Sequence, residues 1–294
     1  MSFLQAIIIG LIQGVTELFP VSSLGHAVVL PALFGWHNVV AAQSAKESFF
    51  LAFLVGLHVA TALALLAFYW RDWVAIVSAL IRSIRRRRIQ TSTERLAWLL
   101  VIATIPAGLT GLVFEKTLRT LFAKPLAASV FLFLNGLVLL GGEAVRRRAA
   151  VRQKVPIRGP DPGPHRRLET LQFREAGVIG VAQVLALLAG ISRSGITMVA
   201  GLVRGLDHED AARFSFLLAT PIILAAGVYK LPDLLGPNGH GVRAQILVGS
   251  LVAGVAAYLS VRYLVRYFRS HNLVPFAAYC LVAGALLIVR FSVV

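Results

Sequence analysis

Two stretches decide the fold: Gln13-Gly14-Val15-Thr16-Glu17-Leu18-Phe19-Pro20-Val21-Ser22-Ser23-Leu24-Gly25-His26, and Gly190-Ile191-Ser192-Arg193-Ser194-Gly195-Ile196-Thr197. Each sits in the middle of an apolar segment, 3–36 in the first case and 174–204 in the second. A continuous apolar run of that length reads as a membrane span. Pro, Gly and charged residues at its centre read instead as a helix broken inside the apolar zone. Each segment is therefore expected most simply to be a helical hairpin whose tip lies within the membrane; two full crossings each would put its ends on the same sides.

The rest of the chain agrees with that setting. Of 294 residues, 57% are apolar and only 14% charged, with a mean hydropathy of +0.78. Soluble domains are nearer 45–50% apolar and about 25% charged, so a soluble enzyme and a disordered chain are both excluded. Uninterrupted apolar segments at about 48–70, 96–114, 125–144, 211–231, 243–265 and 273–291 read as six further spanning helices. The first 20 residues lack a preceding Lys or Arg and run into Glu17 and Pro20, so they read as mature structure rather than a cleaved signal. The lone Cys280 rules out an intrachain disulfide and argues against a thiolate metal site.

The net charge of +16 would suggest nucleic acid in a soluble protein, but here it reads as topology. Segment 71–95 holds Arg71, Arg82, Arg85, Arg86, Arg87, Arg88 and Arg95. Segment 146–174 holds Arg146, Arg147, Arg148, Arg152, Lys154, Arg158, Arg166, Arg167 and Arg174. Two crossings separate these segments, so they share a side, which the positive-inside rule makes cytoplasmic. The Pro- and Gly-rich stretch 156–164 reads as a flexible linker dividing the chain into halves.

The halves are related. At a shift of 170 residues, Ala6, Ile9, Gly10, Gln13, Leu18, Ser22, Gly25 and Val29 match Ala176, Ile179, Gly180, Gln183, Leu188, Ser192, Gly195 and Val199. Each hairpin precedes three helices, and the halves enter from opposite faces. The expected fold is an all-α polytopic membrane protein of two inverted-topology repeats, each a broken hairpin plus three transmembrane helices. The first repeat is 1–145, a basic linker covers 146–173, and the second repeat is 174–294. Such folds put their site near the midplane where broken helices meet.

The chemistry available there is unusual for a membrane interior, where an ionisable side chain costs several kcal/mol unless paired. The first break carries Glu17 and His26 with Ser22 and Ser23. The second carries Arg193 between Ser192 and Ser194, with Thr197 following. Ser22 and Ser192 stand where helix N-termini are expected, and exposed N–H groups there form anion sites. Two such termini and one guanidinium suit a phosphate, which Arg binds bidentately. A carboxylate does not hold an anion directly, so Glu17 acts as a base, holds a divalent metal or orients His26. That favours hydrolysis over mere binding. His58, alone in 48–70, is expected at most behind the reacting groups, and Gln13 lies one helical turn before Glu17.

At these residues the sequence resembles the bacterial undecaprenyl-diphosphate phosphatases of the bacitracin-resistance type, and the resemblance covers nearly the whole chain. It implies a multi-pass hydrolase of the bacterial plasma membrane that removes the terminal phosphate of undecaprenyl diphosphate. That returns undecaprenyl phosphate, the lipid carrier of cell-wall synthesis. It further implies that Glu17, Ser23, His26 and Arg193 are catalytic, with Ser22, Ser192, Arg193, Ser194 and Thr197 contacting phosphate. A divalent cation, Mg²⁺ or Ca²⁺, is implied with Glu17 as its ligand and Gln13 nearby, and a homodimer is compatible. His26 is nucleophile or general acid, and Ser23 a rival nucleophile or an orienting group. The chain departs from the family pattern at Gln13, where many members carry Glu, at Leu24, where Thr is frequent, and at Ala189, where Pro is common. The competing function is a transporter or flippase of a polyprenyl phosphate lipid, since inverted repeats with midplane hairpins are frequent there.

Overall fold

The structure is a computed structural model describing residues 1–44, 49–122, 124–152, 167–230, 236 and 241–293. The described residues are mostly helical and contain no strand. The first break separates α1 (Phe3–Thr16) from α2 (Ser23–Leu33), which is followed by the short α3 (His37–Ser44). Next come α4 (Phe49–Phe68), α5 (Trp70–Arg86), α6 (Ser92–Phe122) and α7 (Pro125–Arg152). The second break separates α8 (Phe173–Val184) from α9 (Arg193–Val203). The chain continues through α10 (His208–Tyr229), α11 (Arg243–Tyr267) and α12 (Val274–Ser292). Among the described residues, α4, α6, α7, α10, α11 and α12 are long and apolar enough to cross a membrane.

Packing exchanges partners between the halves. α1 lies along α11, α8 along α6, and α12 along α7, while α10 contacts both α4 and α9. Two glycines 170 residues apart permit the first two contacts. A Cβ at Gly10 would lie 2.5 Å from the Gly249 carbonyl oxygen, and one at Gly180 would lie 2.5 Å from that of Ala103. Small residues at these points let backbones touch, which is how helices associate where no hydrophobic force drives them together.

Three features differ from the sequence reading. Residues 71–86 of the basic segment 71–95, expected as a loop, are helical, because Trp73, Ile76, Leu80 and Ser83 recur at three- and four-residue spacing. That face packs inward, burying Ile76, Ala79 and Ser83, while Arg82, Arg85 and Arg86 stay exposed. Helix α7 runs on through Arg152, so residues 146–152 of the expected linker are helical. Its remaining basic stretch, 153–166, lies outside the described residues.

The third difference is Arg146, expected in a solvated basic run but only 8% exposed. Its Nη1 donates to His208 Nδ1 at 3.0 Å. With Nδ1 accepting, His208 Nε2 is the protonated nitrogen, and it donates to Glu143 Oε1 at 2.6 Å. The same oxygen accepts the Leu273 backbone N–H at 2.8 Å. One buried carboxylate thus ties the end of α7 to the starts of α10 and α12.

Gly180→Leu is expected to overpack the α8–α6 contact and destabilise the protein by about 1–3 kcal/mol. A thermal melt of the purified protein in detergent checks this. An unchanged melting temperature would show that the helices are not in backbone contact there.

Candidate active site

The two breaks meet. Glu17 caps the end of α1, its N–H bonded to the Gln13 carbonyl at 3.0 Å. Its carboxylate is 6% exposed and surrounded by donors. Gln13 Nε2 donates to Oε2 at 2.9 Å, and the Ser23 hydroxyl donates to the same oxygen. Arg193 Nη2, from the other break, donates to Oε1 at 2.5 Å. His58 Nε2 lies 3.5 Å from Oε2, its ring held by an Nδ1–H bond to the Leu54 carbonyl at 2.8 Å. Ser23 and Arg193 are the first residues of α2 and α9, so the two second arms each present their opening side chain to one carboxylate.

The guanidinium is only half used. Arg193 Nη1 is buried and has no hydrogen-bond partner among the described residues. An unmatched donor in a buried site costs roughly 1–3 kcal/mol, so it marks where an acceptor belongs. Gln13 Oε1 is likewise buried without a partner.

The remaining expected phosphate contacts mostly hold the tips together. Ser22 caps α2 at φ 69°, a left-handed conformation rare outside glycine. It is held there by bonds from three sides. Its Oγ accepts the N–H groups of Gly25 and Gly190, each at 3.2 Å, and its carbonyl accepts His26 Nδ1–H at 2.6 Å. Ser192 caps α9 by accepting the Gly195 N–H at 3.1 Å. The Ser192 and Ser194 hydroxyls reach the Phe19 carbonyl at 3.4 and 3.1 Å. Thr197 bonds the Arg193 carbonyl at 2.8 Å and Ser215 Oγ at 2.7 Å. The second break turns sharply without a proline, because Gly190 adopts φ 114° after the buried Ala189.

Asn135, absent from the sequence reading, joins the tips. Its Nδ2 donates to the Pro20 carbonyl at 2.9 Å and its Oδ1 accepts the Ser192 N–H at 2.9 Å. It is the single amide in the apolar run 125–144, and that is the signal that would have found it.

His26 points elsewhere. Its Nε2 meets the Tyr279 hydroxyl at 2.7 Å, and the two rings stack at 5.8 Å with an interplanar angle of 11°. A narrow cleft lies between α1 and α2. Gln13, Ser23 and His26 line its end at the break, and Ile8, Ile12, Leu30, Pro31 and Trp36 line the rest. Pro31 leaves the Ala27 carbonyl without its helical donor, and Gln43 Nε2 from α3 supplies one at 3.0 Å.

No three His, Cys, Asp or Glu residues among those described converge as a ready metal cage. Glu17 with the unpartnered Gln13 Oε1 offers two oxygen donors to a hard cation that shares its shell with a ligand.

Asn135→Leu is expected to strand the Pro20 carbonyl and the Ser192 N–H, destabilising the protein by about 2–4 kcal/mol. It should also lower activity at least about tenfold by separating the tips. Melting and turnover of the purified variant check both, and unchanged values would remove Asn135 from this role.

Comparisons with known proteins bear on what such a site is for. The family described as bacitracin resistance protein BacA matches residues 6–286. Undecaprenyl-diphosphatase 2 of Frankia alni is 54% identical over 339 aligned positions, covering 100% of this chain and 99% of that protein. The undecaprenyl-diphosphatase of Mycolicibacterium paratuberculosis is 58% identical, covering 97% of this chain and 95% of its own length. That of Mycobacterium avium is 57% identical with the same coverage. With its paired helix breaks, six helices among the described residues long and apolar enough to cross a membrane, and a match over nearly its whole length, the chain belongs to the BacA bacitracin-resistance family.

Proposed function

We propose that the meeting point of the two breaks is where this chain hydrolyses undecaprenyl diphosphate to undecaprenyl phosphate and inorganic phosphate. The observation that carries the reading is the Arg193 guanidinium, with one nitrogen on Glu17 and the other unpartnered, beside a serine bonded to the same carboxylate. A terminal phosphate binds first to the free Nη1. It then draws Nη2 away from Glu17 to complete a bidentate fork. Glu17 thereby loses its cationic partner and becomes a stronger base while already holding the Ser23 proton.

Ser23 Oγ then attacks the terminal phosphorus, and its proton passes to Glu17. The bond to the bridging oxygen breaks, undecaprenyl phosphate leaves with the electron pair, and the Glu17 proton follows it. A water next attacks the phosphoserine and its proton is taken up at His26; the Ser23 Oγ–P bond breaks, inorganic phosphate leaves, and His26 returns that proton to Ser23 Oγ, restoring both side chains. The hydroxyls of Ser22, Ser192, Ser194 and Thr197 shape the pocket by fixing the tips. At the starts of α2 and α9, the N–H groups of Ser23, Leu24, Arg193 and Ser194 are not taken by the Ser22 and Ser192 caps and would be the ones to meet a phosphate. A Mg²⁺ or Ca²⁺ ion fits Glu17 and Gln13 Oε1 as protein ligands, and when bound it would neutralise phosphate charge.

In this reading the halves are inverted repeats, as the glycine contacts at Gly10 and Gly180 support. The basic segments 71–95 and 146–174 face the cytoplasm, the membrane is the bacterial plasma membrane, and both tips lie near its midplane.

Phosphate release from undecaprenyl diphosphate by the purified protein in detergent tests the reading, because no transport occurs there. Glu17→Gln keeps the shape and is expected to abolish release while the protein stays folded. Arg193→Lys is expected to lose at least about 100-fold, or about 2.7 kcal/mol, since an ammonium lacks the planar fork. Comparable turnover in either variant would contradict the assignment. A parent protein that binds the lipid without releasing phosphate would favour a carrier instead.

A further inference from the structure

The hydrogen bonds of His26 fix more than its position. Nδ1 lies 2.6 Å from the Ser22 carbonyl, which only accepts, so Nδ1 carries a proton. In the neutral ring the lone pair is therefore on Nε2. The group at Nε2 is the Tyr279 phenol at 2.7 Å, from α12 at the far end of the sequence. A phenol both donates and accepts. It donates to Nε2 when the imidazole is neutral and, by turning its O–H, accepts from Nε2–H when the ring is charged. It thus matches a histidine that changes protonation state during turnover, and the ring stack keeps the pair aligned in both states. His26 is 8% exposed, whereas Tyr279 is 46% exposed, so the phenol is the accessible end of the pair.

We infer that Tyr279 is a positioning residue for the hydrolytic step, holding His26 as the Nδ1–H tautomer and giving its own O–H proton to Nε2 as the phenol oxygen takes up the one the water releases. The inference rests on the role given to His26 under the proposed function.

Steady-state hydrolysis of undecaprenyl diphosphate in detergent, by the parent, Tyr279→Phe, His26→Gln and the double variant, tests it. Phe preserves the ring and its stack and removes only the hydroxyl. The expected result is a kcat about tenfold lower for Tyr279→Phe, with KM within about twofold of the parent and an unchanged melting temperature. In the His26→Gln background, adding Tyr279→Phe should cost nothing more. An unchanged kcat for Tyr279→Phe, or an equal loss in both backgrounds, overturns the inference while leaving the site reading intact. Full turnover by His26→Gln instead removes the role of His26, and the inference falls with it. If His26→Gln is inactive, the kcat-against-KM split of the single Tyr279→Phe variant decides.

Discussion

The contact between Glu17 and Arg193 is the constraint on which the rest of the structure depends. Burying two charges in an apolar zone costs several kcal/mol per ion before their attraction is counted. Such a pair is a weak way to stabilise a fold and needs tight geometry to survive at all. The breaks in both hairpins supply that geometry. Each ends one helix and starts another at the same depth, so the first side chains of α2 and α9 arrive at the end of α1. Hydroxyls, a strained Ser22 and the Asn135 amide satisfy the backbone groups that the breaks expose. Lipid offers no water to do so.

The same contact ties architecture to chemistry. A guanidinium bound by one nitrogen to a carboxylate is neutralised enough to be buried, yet it retains an unmatched donor. A phosphate satisfies that donor and competes for the other. In the proposed mechanism, binding and base activation would be one event, because the anion that docks would also remove the cation restraining Glu17. Ser23 needs no movement to take part, since its hydroxyl is already on the carboxylate.

Much of this was legible in the sequence, and the residues show why the rest was not. The breaks were conspicuous because Pro, Gly and charge inside an apolar run do not suit an uninterrupted helix facing lipid. Glu17, Ser23 and Arg193 stood out for the same reason, and the structure brings them together. His26 was legible as a residue, but its partner Tyr279 was not, because a tyrosine in a terminal apolar helix is ordinary and the pairing spans 253 positions. His58 was legible only as a residue behind the reacting groups. Its approach to Glu17 depends on how α4 packs, which its own segment does not encode. Charge counting hid α5 and the burial of Arg146. A run of arginines reads as solvated whether or not one of them turns inward to a histidine and a glutamate.

The central claim is that substrate phosphate and Glu17 compete for Arg193. The most direct measurement is the affinity of the Glu17→Gln protein for a non-hydrolysable methylene-bridged analogue of undecaprenyl diphosphate, compared with the parent under a chelator that removes divalent cations. With the competing carboxylate neutralised, the variant is predicted to bind the analogue several-fold more tightly than the parent. Equal or weaker binding would contradict the competition and leave Glu17 and Arg193 as a fixed structural pair.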